Sequence, residues 1–546
     1  MADSSATSPL YRFNRERQAI IDEVIDRVTR QTIQAAWDSP ADRLDNLLNE
    51  AAFVELSSER GDAPPARLAF WRDVVRSIAR SSEEENAEYV QRAIADYAND
   101  IAGHFRPGVQ KLAVDLLPRG LSMVLGMGRG LTLPRPGALA ERIRVEGEVA
   151  RIKRLAEAGT LVFASTHASR LDAGLMGFAM HLAGLPALVH GADQTLFDNP
   201  MTAFFMANLG AYRVDRSQTQ TLYKRVLKTY SQVLIERGYH TFFFPGGGRS
   251  RANRVDDRLK LGLLGTALDA WSRNVVRDGQ RPVFIVPVTM NYNLVLEAET
   301  LVADHLENPS RQRDIIERDE FSDARRVASY LAASLRDDVF LTVRLGTPMD
   351  VFGNEVSHDG EPVDGRGRRV DPVRYLFRDG VPVEDSERAR AYTRGLGRQL
   401  LESWRRNNVI QPLHIVCMAL FEHVLRQHPS WDVQRVLWFA RGNIISRVVA
   451  EGETERVARI VRRMAAEGEL RLSVNAEKWT AVEMVEAVGE LLGRYHSQPV
   501  VEVDGAELRL NDLRLLYFYS NRMSKAAEVV EQRTTEAEDR AEPIDP

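Results

Sequence analysis

Thr160-Leu161-Val162-Phe163-Ala164-Ser165-Thr166-His167-Ala168-Ser169-Arg170-Leu171-Asp172 is the stretch from which the fold is read. An apolar run rich in strand-forming residues leads into a polar turn, and an aspartate then stands where a helix begins. Working outward, similar short runs recur at Leu185 to His190, Tyr239 to Phe244, Pro282 to Met290 and Val339 to Leu345, with helical stretches between most of them. Alternation of this kind predicts an α/β domain.

The flanks read differently. Ile20, Ile21, Val24, Ile25 and Val28, then Leu68, Trp71, Val74, Val75 and Ile78, recur at helical spacing and predict a helical N-terminal region over 1–137. Pro134-Arg135-Pro136-Gly137 punctuates the chain before a charged helix expected from Leu139 to Gly159. The α/β domain is expected over 138–353. Residues 354–386 are rich in glycine, proline and charge and read as a loop or linker. A mainly helical C-terminal region is expected over 387–530, with one strand pair at Val500 to Val503 and Leu508 to Leu510 around Asp504-Gly505. Residues 531–546 read as a disordered tail.

At ~150 residues per domain, 546 residues supply several domain equivalents and a sizeable core. With 72 basic and 77 acidic residues, the net charge of −5 gives no whole-chain attraction to nucleic acid or to an anionic membrane, so any anion site is local. The single cysteine, Cys417, lies in an apolar run and rules out an intramolecular disulfide framework or a thiolate metal cluster. Met1 to Arg30 lacks the apolar core of a secretory signal, and no apolar stretch reaches the ~18 residues of a spanning helix. A cytoplasmic protein that meets membranes only peripherally is expected, with Gly120 to Leu133 as the candidate contact.

Four blocks carry the chemistry. In the first, His167 and Asp172 are five residues apart; on one ideal helix they would point ~140° apart, so they meet only if the histidine precedes the helix and the aspartate lies in its first turn. An imidazole with one nitrogen held by a carboxylate offers the other as a base near neutral pH. In the second, Gly210-Ala211-Tyr212-Arg213-Val214-Asp215-Arg216 follows an apolar segment and precedes a helix near Thr219. By itself it reads as surface charge. In the third, Thr241-Phe242-Phe243-Phe244 runs into Pro245-Gly246-Gly247-Gly248-Arg249-Ser250-Arg251. Glycines let backbone amides approach an anion and the arginines offer charged hydrogen bonds, though a flexible turn with solvated arginines fits as well. The fourth, Ile285 to Tyr292, is an apolar strand interrupted by Pro287, which implies an edge, a bulge or a groove wall.

In this order the four blocks resemble the glycerolipid acyltransferases, and most of all the glycerol-3-phosphate and dihydroxyacetone phosphate acyltransferases, from about Glu141 to Leu301. The resemblance implies an α/β fold whose central mixed β-sheet acyltransferase domain is flanked by helical N-terminal and C-terminal regions. It implies His167 and Asp172 as the catalytic pair. Arg216, Gly247, Gly248, Arg249, Ser250 and Arg251 are implied as acceptor-phosphate residues, with Gly210 and Ala211 in the second block, and Pro287 as part of the acyl groove. Three positions depart from the family pattern: Ala168 stands for an arginine, Asp215 for the first of two arginines and Gly246 for a glutamate. Arg170 and Arg213 stand close by to restore the charge.

The expected reaction moves a fatty acyl group from acyl-CoA or acyl carrier protein to the sn-1 hydroxyl of glycerol 3-phosphate, for phospholipid biosynthesis. His167 is the general base, Asp172 its orienting partner, and no metal or redox cofactor is called for. Backbone amides of the glycine loop or of the turn after His167 are the expected oxyanion donors, and Phe204, Phe205, Met206, Phe242 and Phe244 the candidate tunnel lining. The expected partners are the thioester donor, glycerol 3-phosphate and the inner face of the cell membrane, and not nucleic acid. A different acceptor, such as a lysolipid or another alcohol, and a non-catalytic lipid-binding or scaffold role stand as alternatives.

Overall fold

The computed structural model describes residues 9–57, 64–113, 138–197, 200–278, 281–307, 319–334, 339–378, 381–382, 385–440 and 442–523. The candidate membrane contact Gly120 to Leu133 and the C-terminal tail lie outside the described residues.

Four helices open the chain: α1 (Phe13–Asp38), α2 (Leu44–Leu56), α3 (Pro65–Ser77) and α4 (Glu83–Ile101). The apolar stripe of α1 buries Ile20, Ile21, Val24 and Val28, and Ser82 starts α4 with a reciprocal capping box to Glu85. The chain then forms α5 (Ala138–Arg142), β1 (Ile143–Gly147), α6 (Val149–Ala158), β2 (Thr160–Ser165), α7 (Asp172–Leu182), β3 (Val189–Asp193), α8 (Pro200–Asn208), β4 (Ala211–Val214), α9 (Thr221–Glu236), β5 (Thr241–Phe243), α10 (Leu261–Asp278), β6 (Val283–Tyr292), α11 (Ala298–Glu307), α12 (Ala324–Ser334) and β7 (Leu341–Leu345). These strands make one sheet in the order β1-β7-β6-β2-β5-β3-β4. It is mixed: β7 runs antiparallel to β6 and parallel to β1, while β6, β2, β5, β3 and β4 are parallel to one another.

Both faces of the sheet are covered, so the central strands β2, β5 and β6 are buried along their whole length and mostly apolar. In β2, Leu161 and Phe163 face one core and Val162 and Ala164 the other. The first core is shared with C-terminal helices α14 (Pro412–Gln427), α16 (Arg447–Ala466), α18 (Ala481–Arg494) and α19 (Leu513–Ser520). Across the sheet, α13 (Ser386–Asn407) buries Leu396, Leu400 and Trp404, and the Trp404 indole donates to the Ala164 carbonyl at 3.1 Å. The N-terminal helices pack with α9 against the β3–β4 edge.

That edge contact is backbone-close. A Cβ on Gly103, just after α4, would lie 2.2 Å from the Ala211 carbonyl oxygen in β4. Gly103→Ala is expected to destabilise the protein by about 1–3 kcal/mol, as overpacking does, read as a lower urea midpoint; an unchanged midpoint would show that the α4–β4 junction yields freely.

Several local expectations change. The charged helix expected from Leu139 to Gly159 is broken by β1, because Ile143 and Val145 alternate with Arg144 and Glu146 and pair along β7. Gly147 (φ +95°) ends that strand so close to β7 that a Cβ would sit 2.0 Å from the Leu345 carbonyl oxygen. β3 begins at Val189 rather than Leu185, beyond Pro186, and Ala211 to Val214, read as part of a stretch of surface charge, is the edge strand β4. Residues 354–386 carry two short antiparallel ladders, Glu355–Val356 with Pro362–Val363 and Phe377–Arg378 with Val381–Pro382, and Val356 is fully buried in the core. The C-terminal hairpin, Val501–Asp504 with Glu507–Leu510, gains a third strand at Asn443–Ser446.

Candidate active site

The site lies outside the carboxyl ends of the parallel strands, where open α/β sheets place their ligands. His167 is in the loop after β2, and Asp172 is the first residue of α7. The strand–turn–helix order brings them together: His167 Nδ1 is 2.8 Å from Asp172 Oδ2. A carboxylate can only accept, so Nδ1 donates and Nε2 is left with its lone pair. The Asp172 side chain is fully buried while His167 retains 14% exposure. Asp172 Oδ2 also accepts from the backbone N–H groups of Ala168 (2.7 Å) and Ser169 (3.1 Å), and Oδ1 from the Tyr292 hydroxyl at 2.5 Å. The amides of the turn after His167 are thus spent on Asp172, which removes Ala168 and Ser169 from the expected oxyanion donors.

Phe244, just beyond β5, stacks on the imidazole with ring centroids 3.8 Å apart and planes 12° from parallel. Burial holds the His167 pKa below its ordinary value; Asp172 opposes this, and Arg249 and Arg216 add to the depression. Burial thereby favours the neutral imidazole, the form in which Nε2 has a lone pair to offer.

A cleft beside His167 is lined by Arg170, Arg216, Gly248, Arg249, Arg251 and Phe244 among others. Each arginine has a carboxylate partner. Arg216 Nε is 3.1 Å from Asp193 Oδ2, Arg251 Nη1 is 2.8 Å from Asp304 Oδ2, and Arg249 Nη1 is 2.7 Å from Asp319 Oδ2 and 3.4 Å from Glu297 Oε1. Glu297 is fully buried, and burial pushes its carboxyl up to about 7 against the pull of Arg249.

Three implied site residues lie elsewhere. Ser250 ties two loops together: its backbone N–H donates to the His167 carbonyl (2.9 Å) and its hydroxyl to the Arg254 carbonyl (2.7 Å). Gly247 (φ +79°) forms the turn itself, its N–H donating to the Phe244 carbonyl, and a Cβ there would lie 2.5 Å from Lys260 Cδ. Pro287 is in the central strand β6 and is not among the residues that line the cleft. It sits at a bulge: Val288 pairs with Leu345 but Ile285 with Met349, one residue further than a regular register allows. The missing proline donor falls at that irregularity.

The charge-restoring arginines divide. Arg170 enters the cleft, whereas Arg213 lies over the Phe197 ring at 4.8 Å and is exposed. Asp215 stabilises a turn, accepting from the Ser217 backbone (2.9 Å) and hydroxyl (2.6 Å). Of the tunnel candidates, Phe242 is sealed in the core, Phe244 reaches the cleft and Phe204 is 45% exposed.

Tyr292, Glu297 and Asp319 were not singled out from sequence. A carboxylate ending the apolar run Leu294-Val295-Leu296-Glu297 was the available signal for one of them. Among the described residues, no group of histidine, cysteine and carboxylate side chains is placed to hold a metal ion.

Fold and site together define an α/β protein with a histidine held by a buried carboxylate beside an arginine-lined cleft. The acyltransferase family model matches residues 142–291, which hold β1 to β5, nearly all of β6 and the loops that carry His167 and Arg249, and this part of the chain is an acyltransferase-family domain. A glycerol-3-phosphate acyltransferase of Pseudomonas paraeruginosa is 27% identical over 252 residues, 43% of this chain and 27% of that protein. One of Pseudoalteromonas atlantica is 25% identical over 263 residues, 47% of this chain and 29% of that protein. The aligned region thus spans little more than a quarter of these curated relatives. A solved structure, the 1-acyl-sn-glycerophosphate acyltransferase of Thermotoga maritima, has 14% identity and a TM-score of 0.26 over 66% of this chain and 93% of that one.

Proposed function

We propose that the chain is an O-acyltransferase that moves a fatty acyl group from an acyl thioester, acyl-CoA or acyl carrier protein, to the sn-1 hydroxyl of glycerol 3-phosphate. The observation that carries this reading is the His167–Asp172 pair opening onto a cleft lined by Arg216, Arg249 and Arg251. The acceptor phosphate rests among the arginines and presents a hydroxyl to His167 Nε2. The imidazole takes the hydroxyl proton as the oxygen attacks the thioester carbonyl, and the tetrahedral intermediate collapses with loss of the thiolate, which takes the proton from His167 and leaves as the thiol. Buried Asp172 stabilises the imidazolium formed in between. Serine or cysteine nucleophiles play no part, and the one cysteine, Cys417, is buried in the core with its thiol raised by burial beyond the ordinary range.

The carboxylate partner on every cleft arginine favours a second reading, in which the acceptor carries less negative charge than a phosphomonoester dianion, as a lysolipid or a neutral alcohol does. No helix among the described residues is long and apolar enough to cross a membrane; attachment of the product-forming enzyme to a membrane surface belongs to the proposal.

The test is thioester consumption by the purified protein with palmitoyl-CoA and a panel of glycerol 3-phosphate, lysophosphatidate and glycerol. Turnover restricted to glycerol 3-phosphate supports the first reading; turnover with another acceptor alone supports the second, and none with any donor or acceptor returns the chain to a lipid-binding role. A pH profile adds a check. Because His167 must be neutral and its pKa is depressed, the acidic limb of kcat/KM is expected below pH 6.5. A limb above pH 7 would exclude this imidazole as the titrating base.

A further inference from the structure

One cleft arginine belongs to none of the phosphate-binding blocks. Arg170 lies in the turn between His167 and Asp172 and lines the cleft with Arg249. Its Nε is 2.9 Å from Asp319 Oδ2, the same oxygen that lies 2.7 Å from Arg249 Nη1. The Asp319 side chain is fully buried and does not line the cleft, so it holds the two guanidinium groups from behind. Glu297, equally buried, braces the arrangement: its Oε1 accepts from the Arg170 backbone N–H at 2.9 Å and lies 3.4 Å from Arg249 Nη1. Two guanidinium groups this close repel, and neither would stay without a shared counter-charge. The position beside the histidine holds Ala168, whose side chain is buried and cannot reach an anion.

We propose that Arg170 is an acceptor-binding residue, that Arg170 and Arg249 form the two arms of a site for a phosphomonoester, and that Asp319 is the positioning residue that keeps both arms at the cleft. The cation displaced from position 168 is thereby supplied two residues later along the same turn. This rests on the glycerol 3-phosphate reading. Arginine suits the task because its planar fork matches phosphate oxygens two at a time.

The experiment compares Arg170→Ala, Arg170→Lys and Asp319→Asn with the parent, measuring kcat and KM for glycerol 3-phosphate and for palmitoyl-CoA separately. Arg170→Ala is expected to raise KM for glycerol 3-phosphate at least tenfold, about 1.4 kcal/mol, while KM for palmitoyl-CoA stays within about twofold. Arg170→Lys is expected to recover part of the loss, and Asp319→Asn to raise the same KM several-fold. A glycerol 3-phosphate KM within about twofold of the parent in Arg170→Ala, or a loss confined to kcat, overturns the proposal. Should Asp319→Asn fail to fold, the two Arg170 variants decide alone. A parent inactive with glycerol 3-phosphate defeats the functional reading instead. Calorimetric titration with inorganic phosphate then decides the proposal: weaker binding in Arg170→Ala upholds it, and equal binding, or none in the parent, overturns it.

Discussion

His167→Ala is expected to lower acyl transfer on the order of 10³- to 10⁴-fold, the upper part of what a positioned general base supplies. The loss should appear in kcat rather than in either KM, because the imidazole takes up a proton only as the acceptor oxygen attacks. The fold should survive it. His167 has a side-chain hydrogen bond to Asp172 and lines the cleft, with no part in the three hydrophobic cores. The variant removes the stacking partner of Phe244, a contact of the kind worth about 0.5–1.5 kcal/mol. Single-turnover thioester cleavage with saturating acceptor is the measurement, with a melting curve beside it. Activity within tenfold of the parent would mean that another group takes the proton.

Asp172 should behave differently, because in the proposed mechanism its carboxylate serves both chemistry and architecture. Four donors converge on it: the His167 imidazole, two backbone amides and the Tyr292 hydroxyl. Asp172→Asn keeps the shape but puts an amide NH₂ where an acceptor is needed. A loss on the order of 10²-fold or more in kcat is expected, since the imidazole loses both its fixed tautomer and the negative charge that stabilises its protonated form. Asp172→Ala goes further, leaving buried donors without an acceptor at about 1–3 kcal/mol each. Its thermal midpoint should fall well below that of Asp172→Asn. Equal midpoints for the two would show that the loop relaxes or that water replaces the carboxylate. The acidic limb offers an independent reading. Asp172 raises the His167 pKa against the effect of burial, so Asp172→Asn should move the limb to still lower pH.

Why some of this was readable from sequence and some not follows from where the information lies. The run Leu161 to Ala164, bounded by a polar turn, announces a buried strand, and the five-residue spacing of His167 and Asp172 becomes meaningful once a strand precedes and a helix follows. Both facts are local. β1 was hidden because Arg144 and Glu146 on an edge strand look like the charges of a solvated helix; only pairing with β7, far along the chain, decides between them. Pro287 announced an irregularity correctly, but whether it marked an edge, a bulge or a groove depended on Met349 and Leu345. Arg249 and Arg251 stood out in their block, and both line the cleft, whereas the acids that hold them, Asp319 and Asp304, come from segments with no motif of their own. Ser250 shows the converse: a hydroxyl in the right block that fastens one loop to the next.

The tryptophan behind β2 bears on how the chain is made. Trp404 reaches the Ala164 carbonyl across 240 positions, and Arg522 reaches the Met290 carbonyl across 232. A ribosome emits residues in order, at about 5–20 per second. The strand that delivers the histidine is therefore synthesised many seconds before the groups that close its rear, and until then its apolar backing is open to water and to other nascent chains. Fragments cut to the acyltransferase-family domain alone should aggregate, and expression in pieces should recover the domain only when the downstream helices are supplied with it.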